Sequence, residues 1–149
     1  MSEHHATVVW QRTSSDYTYA TYNRAHEWHI AGNVVPASAA KEYKGDPTRI
    51  NPEDAFVASL SSCHLLTFLS IAAKRRASLD SYEDEAVGYM EKNAEGRFAV
   101  TRVILRPKVT WSAGVSVSDA DLARMHHEAH EGCFIANSVK TDVKVEPRP

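Results

Sequence analysis

Cys63 and Cys133 are the only cysteines in a chain of 149 residues, and a thiol is a natural nucleophile and redox group near neutral pH once a cation or base lowers its pKa. Cys63 lies within "NPEDAFVASLSSCHLLTFLSIAAKRR", Asn51 to Arg76, in a run without charge from Ala55 to Ala73. These surroundings point first to packing, because free cysteine is among the most buried residue types and burial raises a thiol pKa. Reactivity therefore requires a cation from another element. His64 is a poor source, since adjacent helical residues do not share a face. A guanidinium is permanently charged and can bond both a thiolate and a carboxylate; Arg24 and Arg49 are the candidates upstream.

Cys133 follows Gly132 at the expected end of a helix, a position from which a side chain can reach a partner. A rival chemistry shares these residues. His126, His130 and Cys133 recur at i, i+4 and i+7, and with Cys63 they would make four ligands for zinc. Against it, "HHEAHE" lacks the H-E-x-x-H spacing, and Gly132 ends the helix before the third ligand. The histidines otherwise read as a solvated helix face.

The elements that must hold these side chains follow from pattern. "ATVVWQ" from Ala6, "DYTYATY" from Asp16 and "HEWHIAG" from His26 are rich in β-formers and predict strands. Asn51 and Pro52 form an N-cap and N1 pair, so a long helix starts there, with Glu53 and Asp54 at its positive end and Lys74, Arg75 and Arg76 at its negative end. Its uncharged stretch approaches the roughly 20 residues of a membrane span. Four serines, a threonine and a histidine interrupt it, so a buried helix of a globular fold or dimer is expected instead. "YEDEAVGYMEK" from Tyr82 and "RFAVTRVILRPKVTW" from Arg97 predict two strands joined at "NAEG"; Ser118 caps a second helix ending at Gly132; Val139, Val143 and Val145 mark a last strand. This order makes one α+β domain over residues 1–149.

With 17 basic and 19 acidic residues and a net charge of −2, the chain has no footprint for nucleic acid or an anionic membrane. The start "MSEHHATVVW" lacks a signal-peptide pattern, and two cysteines are too few for a disulfide scaffold, so a cytoplasmic protein is expected.

"NPEDAFVASLSSCH", with its Cys ten residues after the Glu, and a second Cys seventy residues later between a helix and a final strand, resemble the OsmC and Ohr proteins, the osmotically inducible and organic hydroperoxide resistance group. The resemblance covers nearly the whole chain. It implies antiparallel sheets packed around the long helix in an intertwined homodimer that works without a cofactor as a thiol peroxidase. By the same resemblance, Cys63 is the thiolate that attacks an organic hydroperoxide, and Cys133 resolves the sulfenic acid as a disulfide for an external dithiol, such as a lipoyl group, to reduce. An arginine holds the thiolate and is itself held by Glu53; Arg24, between N-terminal strands, is preferred to Arg49.

The chain departs from the family pattern at His64, where many members have Phe, and at "FIANS" after Cys133, where a Pro-containing turn is usual. Ten residues of straight helix separate Glu53 from Cys63 by ~15 Å, so Glu53 reaches the thiol only through another group. A noncatalytic dimer that binds a small apolar molecule is the alternative function.

Overall fold

Asn51 starts the long helix as its side chain predicts. In the computed structural model, which describes residues 1–149, its Oδ1 accepts from the Asp54 N–H at 2.8 Å, and its Nδ2 donates to the Asp54 carboxylate at 2.7 Å. This closed cap opens α1, Pro52–Lys74. The element order is β1 (Thr7–Val9), β2 (His26–Ile30), β3 (Asn33–Ala37), α1, β4 (Leu79–Asp84), β5 (Val87–Lys92), β6 (Phe98–Leu105), β7 (Pro107–Trp111), α2 (Asp119–Glu131) and β8 (Asp142–Val145). The class is α+β. The chain forms two compact units, Met1–Ala55 and Phe56–Pro149.

In the first unit, β1, β2 and β3 form an antiparallel meander with β2 at its centre. Ala31 and Gly32 turn β2 into β3 with φ of 50° and 78°, the left-handed pair a tight hairpin demands. The strand expected at "DYTYATY" does not form. Thr18 and Thr21 bond each other through their hydroxyls at 2.8 Å, and the Tyr22 N–H donates to the Thr18 carbonyl at 3.0 Å. Local side-chain and turn bonding thus wins over β propensity here. Asn23 pins the loop, donating to the Gln11 carbonyl at 2.9 Å and accepting from the Thr13 N–H at 2.8 Å.

In the second unit, each long segment expected as one strand is two. The first breaks at Glu85–Ala86 and the second at Arg106, whose N–H donates to Asp84 Oδ1 at 2.6 Å. One sheet pairs β4 with β7 and another runs β5-β6-β8. The hairpin at "NAEG" is β5–β6, with Gly96 at φ 77°. All strand pairings are antiparallel except β6–β8, which is parallel, as is an isolated bridge between Ala37 and Ile50, a correction to the expectation of antiparallel sheets throughout. The chain enters β8 from α2, a crossover that permits parallel pairing.

Helix α1 buries Leu60, His64, Phe68 and Ala72, a stripe with a spacing of four. Leu60 joins Val103 and Leu105 in one core cluster; Phe68 and Ala72 join Met125 and Ala129 of α2 in a second. By length and composition α1 could also cross a membrane, but in this fold it supplies the middle of both clusters. Within one chain this helix, expected to be buried in a globular fold or dimer, keeps an open apolar side, with Leu66 65% and Leu69 37% exposed.

Gly88 of β5 lets this layer close. A Cβ there would lie 2.5 Å from Val57 Cγ2, and valine is stiff at χ1. Gly88→Ala is therefore expected to cost about 1–3 kcal/mol by overpacking, seen as a lower urea midpoint with an unchanged slope; an unchanged midpoint would show that β5 shifts freely.

Candidate active site

Helix α1 presents Cys63 half-buried, and the turn after α2 presents Cys133 at 1% exposure. Although seventy residues separate them in sequence, Cys63 lies near enough to Cys133 to raise its pKa. Three local features help to place the two residues. Ser61 donates to Asp84 Oδ2 and ties this part of α1 to β4. Thr67 donates to the Cys63 carbonyl at 3.0 Å. Gly132 lets the end of α2 approach, since a Cβ there would stand 3.1 Å from Thr67 Cγ2. Both cysteines are free thiols.

Burial pushes the Cys133 thiol up, and Cys63 pushes it further; the Ala136 N–H, 3.4 Å from Sγ, opposes them. Cys133 is thus a protonated thiol at neutral pH and a poor first nucleophile. Cys63 has the greater access to solvent. The two thiols therefore differ in access and in acidity.

Arg24 and Glu53 lie in the first unit, on the wall of a cavity of about 480 Å³ that Trp10, Tyr17, Tyr22 and Tyr43 also line. Arg24 Nη1 donates to the Tyr22 carbonyl and Nη2 to the Tyr19 carbonyl, both at 2.6 Å, while the guanidinium stacks 3.7 Å from the Tyr22 ring centre. Carbonyls and rings orient it. The expectation that Glu53 holds the arginine directly is not met, as the two share the cavity without an ion pair. Arg49 is committed elsewhere, pairing with Asp46 at 3.7 Å and donating to the His26 carbonyl at 3.3 Å. Of the two candidate arginines, Arg24 lines this cavity and Arg49 does not.

His64 and His126 were not legible as a pair. His64 Nε2 lies 3.0 Å from His126 Nδ1, the rings stack 5.3 Å apart at 10°, and Phe68 stacks on His126 at 4.5 Å. They are 1% and 3% exposed. The expected solvated face is real only for His127, which pairs with Glu131 at 3.3 Å. A signal did exist: His126 adjoins Met125 and stands four residues after Leu122, on the apolar stripe of α2. The zinc arrangement is not assembled. His126 turns to His64, and no three His, Cys, Asp or Glu side chains converge as metal ligands.

Residues 45–148 match the family of OsmC-like proteins. The chain is 47% identical to an OsmC-like protein of unknown function from Vibrio cholerae, over 99% of this chain and 100% of that one, with a TM-score of 0.95. It shares its fold with an organic hydroperoxide resistance protein OsmC from Legionella pneumophila (17% identity, 100% and 98% coverage, TM-score 0.74) and with the organic hydroperoxide resistance protein OhrB of Bacillus subtilis (18%, 98% and 98%, 0.69). No curated protein matches the sequence.

Proposed function

We propose, from the premise that this chain belongs to the OsmC-like protein family, that it is a thiol-dependent peroxidase reducing organic hydroperoxides in defence against oxidative stress. The observation that carries this reading is the influence of Cys63 on a buried, protonated Cys133. The Cys63 thiolate attacks the distal oxygen of ROOH. An S–O bond forms, the O–O bond breaks, and the alkoxide takes a proton to leave as alcohol. Cys133 sulfur then attacks the Cys63 sulfenic acid; an S–S bond forms, the S–O bond breaks, and hydroxide leaves as water with the proton that Cys133 gives up. An external dithiol, such as a lipoyl group, returns both cysteines to thiols. No further cofactor enters these steps.

By the resemblance, Arg24 is proposed as the cation that favours the Cys63 thiolate. The orientation of Arg24 by two carbonyls and a ring supports this role, because a preorganised cation does not reorganise as charge develops. Arg24→Ala is expected to lower the second-order rate of cumene hydroperoxide consumption about 10²-fold, while Arg49→Ala lowers it less than about threefold. The reverse ranking would transfer the role to Arg49.

The exposed Leu66 and Leu69 on α1 support a homodimer with the long helices at its seam. A dimer mass in sedimentation tests this. The aromatic cavity favours a second reading, a noncatalytic binder of small apolar molecules. Hydroperoxide consumption with a dithiol reductant separates the two: turnover by the parent and none by Cys63→Ser supports the peroxidase, and equal rates exclude it.

A further inference from the structure

The buried imidazole pair has no part in the steps above, yet it joins the same two elements as the thiols. Cys63 and His64 are consecutive in α1; His126 sits in α2, and Cys133 follows that helix directly. From Glu131 to Phe134, Cys133 is the one buried residue, flanked by exposed Gly132 and by Phe134 at 81% exposure. Its shielding therefore depends on where the end of α2 lies, on one side, and on the turn that Asn137 ties to the Glu131 carbonyl at 2.9 Å, on the other. Across the interface, Phe68 packs on His126, and Arg75 bonds Glu128 at 2.6 Å on the exposed rim.

We propose that His64 and His126 are positioning residues for the thiol pair: their hydrogen bond holds the end of α2 on α1 and keeps Cys133 shielded beside Cys63. The bond requires a lone pair on one ring, so it cannot survive protonation of both. The outward nitrogens, His64 Nδ1 and His126 Nε2, are buried without partners, as is His130 Nδ1. A cation at any of them would be uncompensated. The charges acting on His64 come from His126 and His130, both from α2; His126 is shifted by burial alone. From β4, Tyr82 packs on Phe68 and its hydroxyl stays neutral, while β8 faces the outer side of His126 with Val143 and Val145. Burial, and for His64 these neighbours, lower both imidazoles to about 4. The pair is neutral at neutral pH and opens in acid.

This inference rests on the peroxidase reading for the role of Cys133, but its readout is thiol access and not turnover, so the two fail separately. In the full-length Cys63→Ser variant, Cys133 is labelled with 2,2′-dithiodipyridine, which reacts in acid, and each rate is divided by that of glutathione at the same pH. The normalised rate should rise about tenfold or more between about pH 5 and about pH 3.5 while far-UV circular dichroism is retained. Adding His64→Gln and His126→Gln, whose amides can bond each other and do not titrate, should restore protection across this range. Labelling that rises only as the helical signal is lost, or an unchanged acid step in the Gln variant, overturns the proposal. Should the Gln variant not fold, amide exchange of the unsubstituted protein decides: selective loss of protection at Ala129–Phe134 in acid supports the clasp, and simultaneous loss in α1 and α2 refutes it.

Discussion

Cys63→Ser is expected to reduce hydroperoxide consumption at least about 10³-fold, to the uncatalysed background, because a serine hydroxyl beside no activating base cannot replace a thiolate. Cys133→Ser should behave differently. Its Cys63 still attacks, so one equivalent of peroxide is consumed in a burst, and the enzyme then stalls as a sulfenic acid that a dimedone-type reagent captures. The two variants together test the division of labour that follows from burial: Cys133 is 1% exposed and pushed up in pKa, and Cys63 is more accessible. If Cys133→Ser removed the burst and Cys63→Ser retained it, the roles would be exchanged.

The second large effect is on stability against acid. His64 and His126 fall from 6.5 to about 4 on folding, so between those values the unfolded chain binds protons that the folded chain does not. Stability is then full above pH 6.5 and is lost as pH falls towards about 4. At ~1.4 kcal/mol per pKa unit, each imidazole accounts for up to about 3 kcal/mol, a large share of a typical ~5–15 kcal/mol. Asp46, Glu91 and Asp121, held below the usual carboxylate range by hydrogen bonds from Thr48, Arg102 and Arg124, lose their contribution as pH falls below their unfolded values, 4.5 for Glu91 and 3.8 for the two aspartates. Urea midpoints measured from neutral pH down to pH 4.5 should therefore fall steadily in the parent and stay nearly level in the His64→Gln/His126→Gln protein. Parallel slopes would remove the pair as the cause.

Capping chemistry explains why both helices were legible. Asn51 and Ser118 each bond the N–H three residues on, an interaction local in sequence and therefore visible in it. The strands were harder, because "DYTYATY" carries β-forming side chains but turns through Thr18 and Thr21, and because the break at Arg106 depends on Asp84 of another strand. The site divided in the same way. Cys63 and Cys133 stood out as the only two thiols. The hydrogen bond of His64 to His126 spans 62 residues, and nothing local marks either ring as buried beyond its place among apolar neighbours. The carbonyl cradle of Arg24 was likewise out of reach, since backbone acceptors carry no residue signature.

The central claim is that Cys63 and Cys133 form one redox unit. Peptide mapping after one equivalent of cumene hydroperoxide, without reductant, tests it most directly. The account predicts loss of two hydrogens from the intact chain and a peptide pair joined through Cys63 and Cys133. Recovery of both cysteines as free thiols, or stable oxidation of Cys63 without a crosslink, would contradict it.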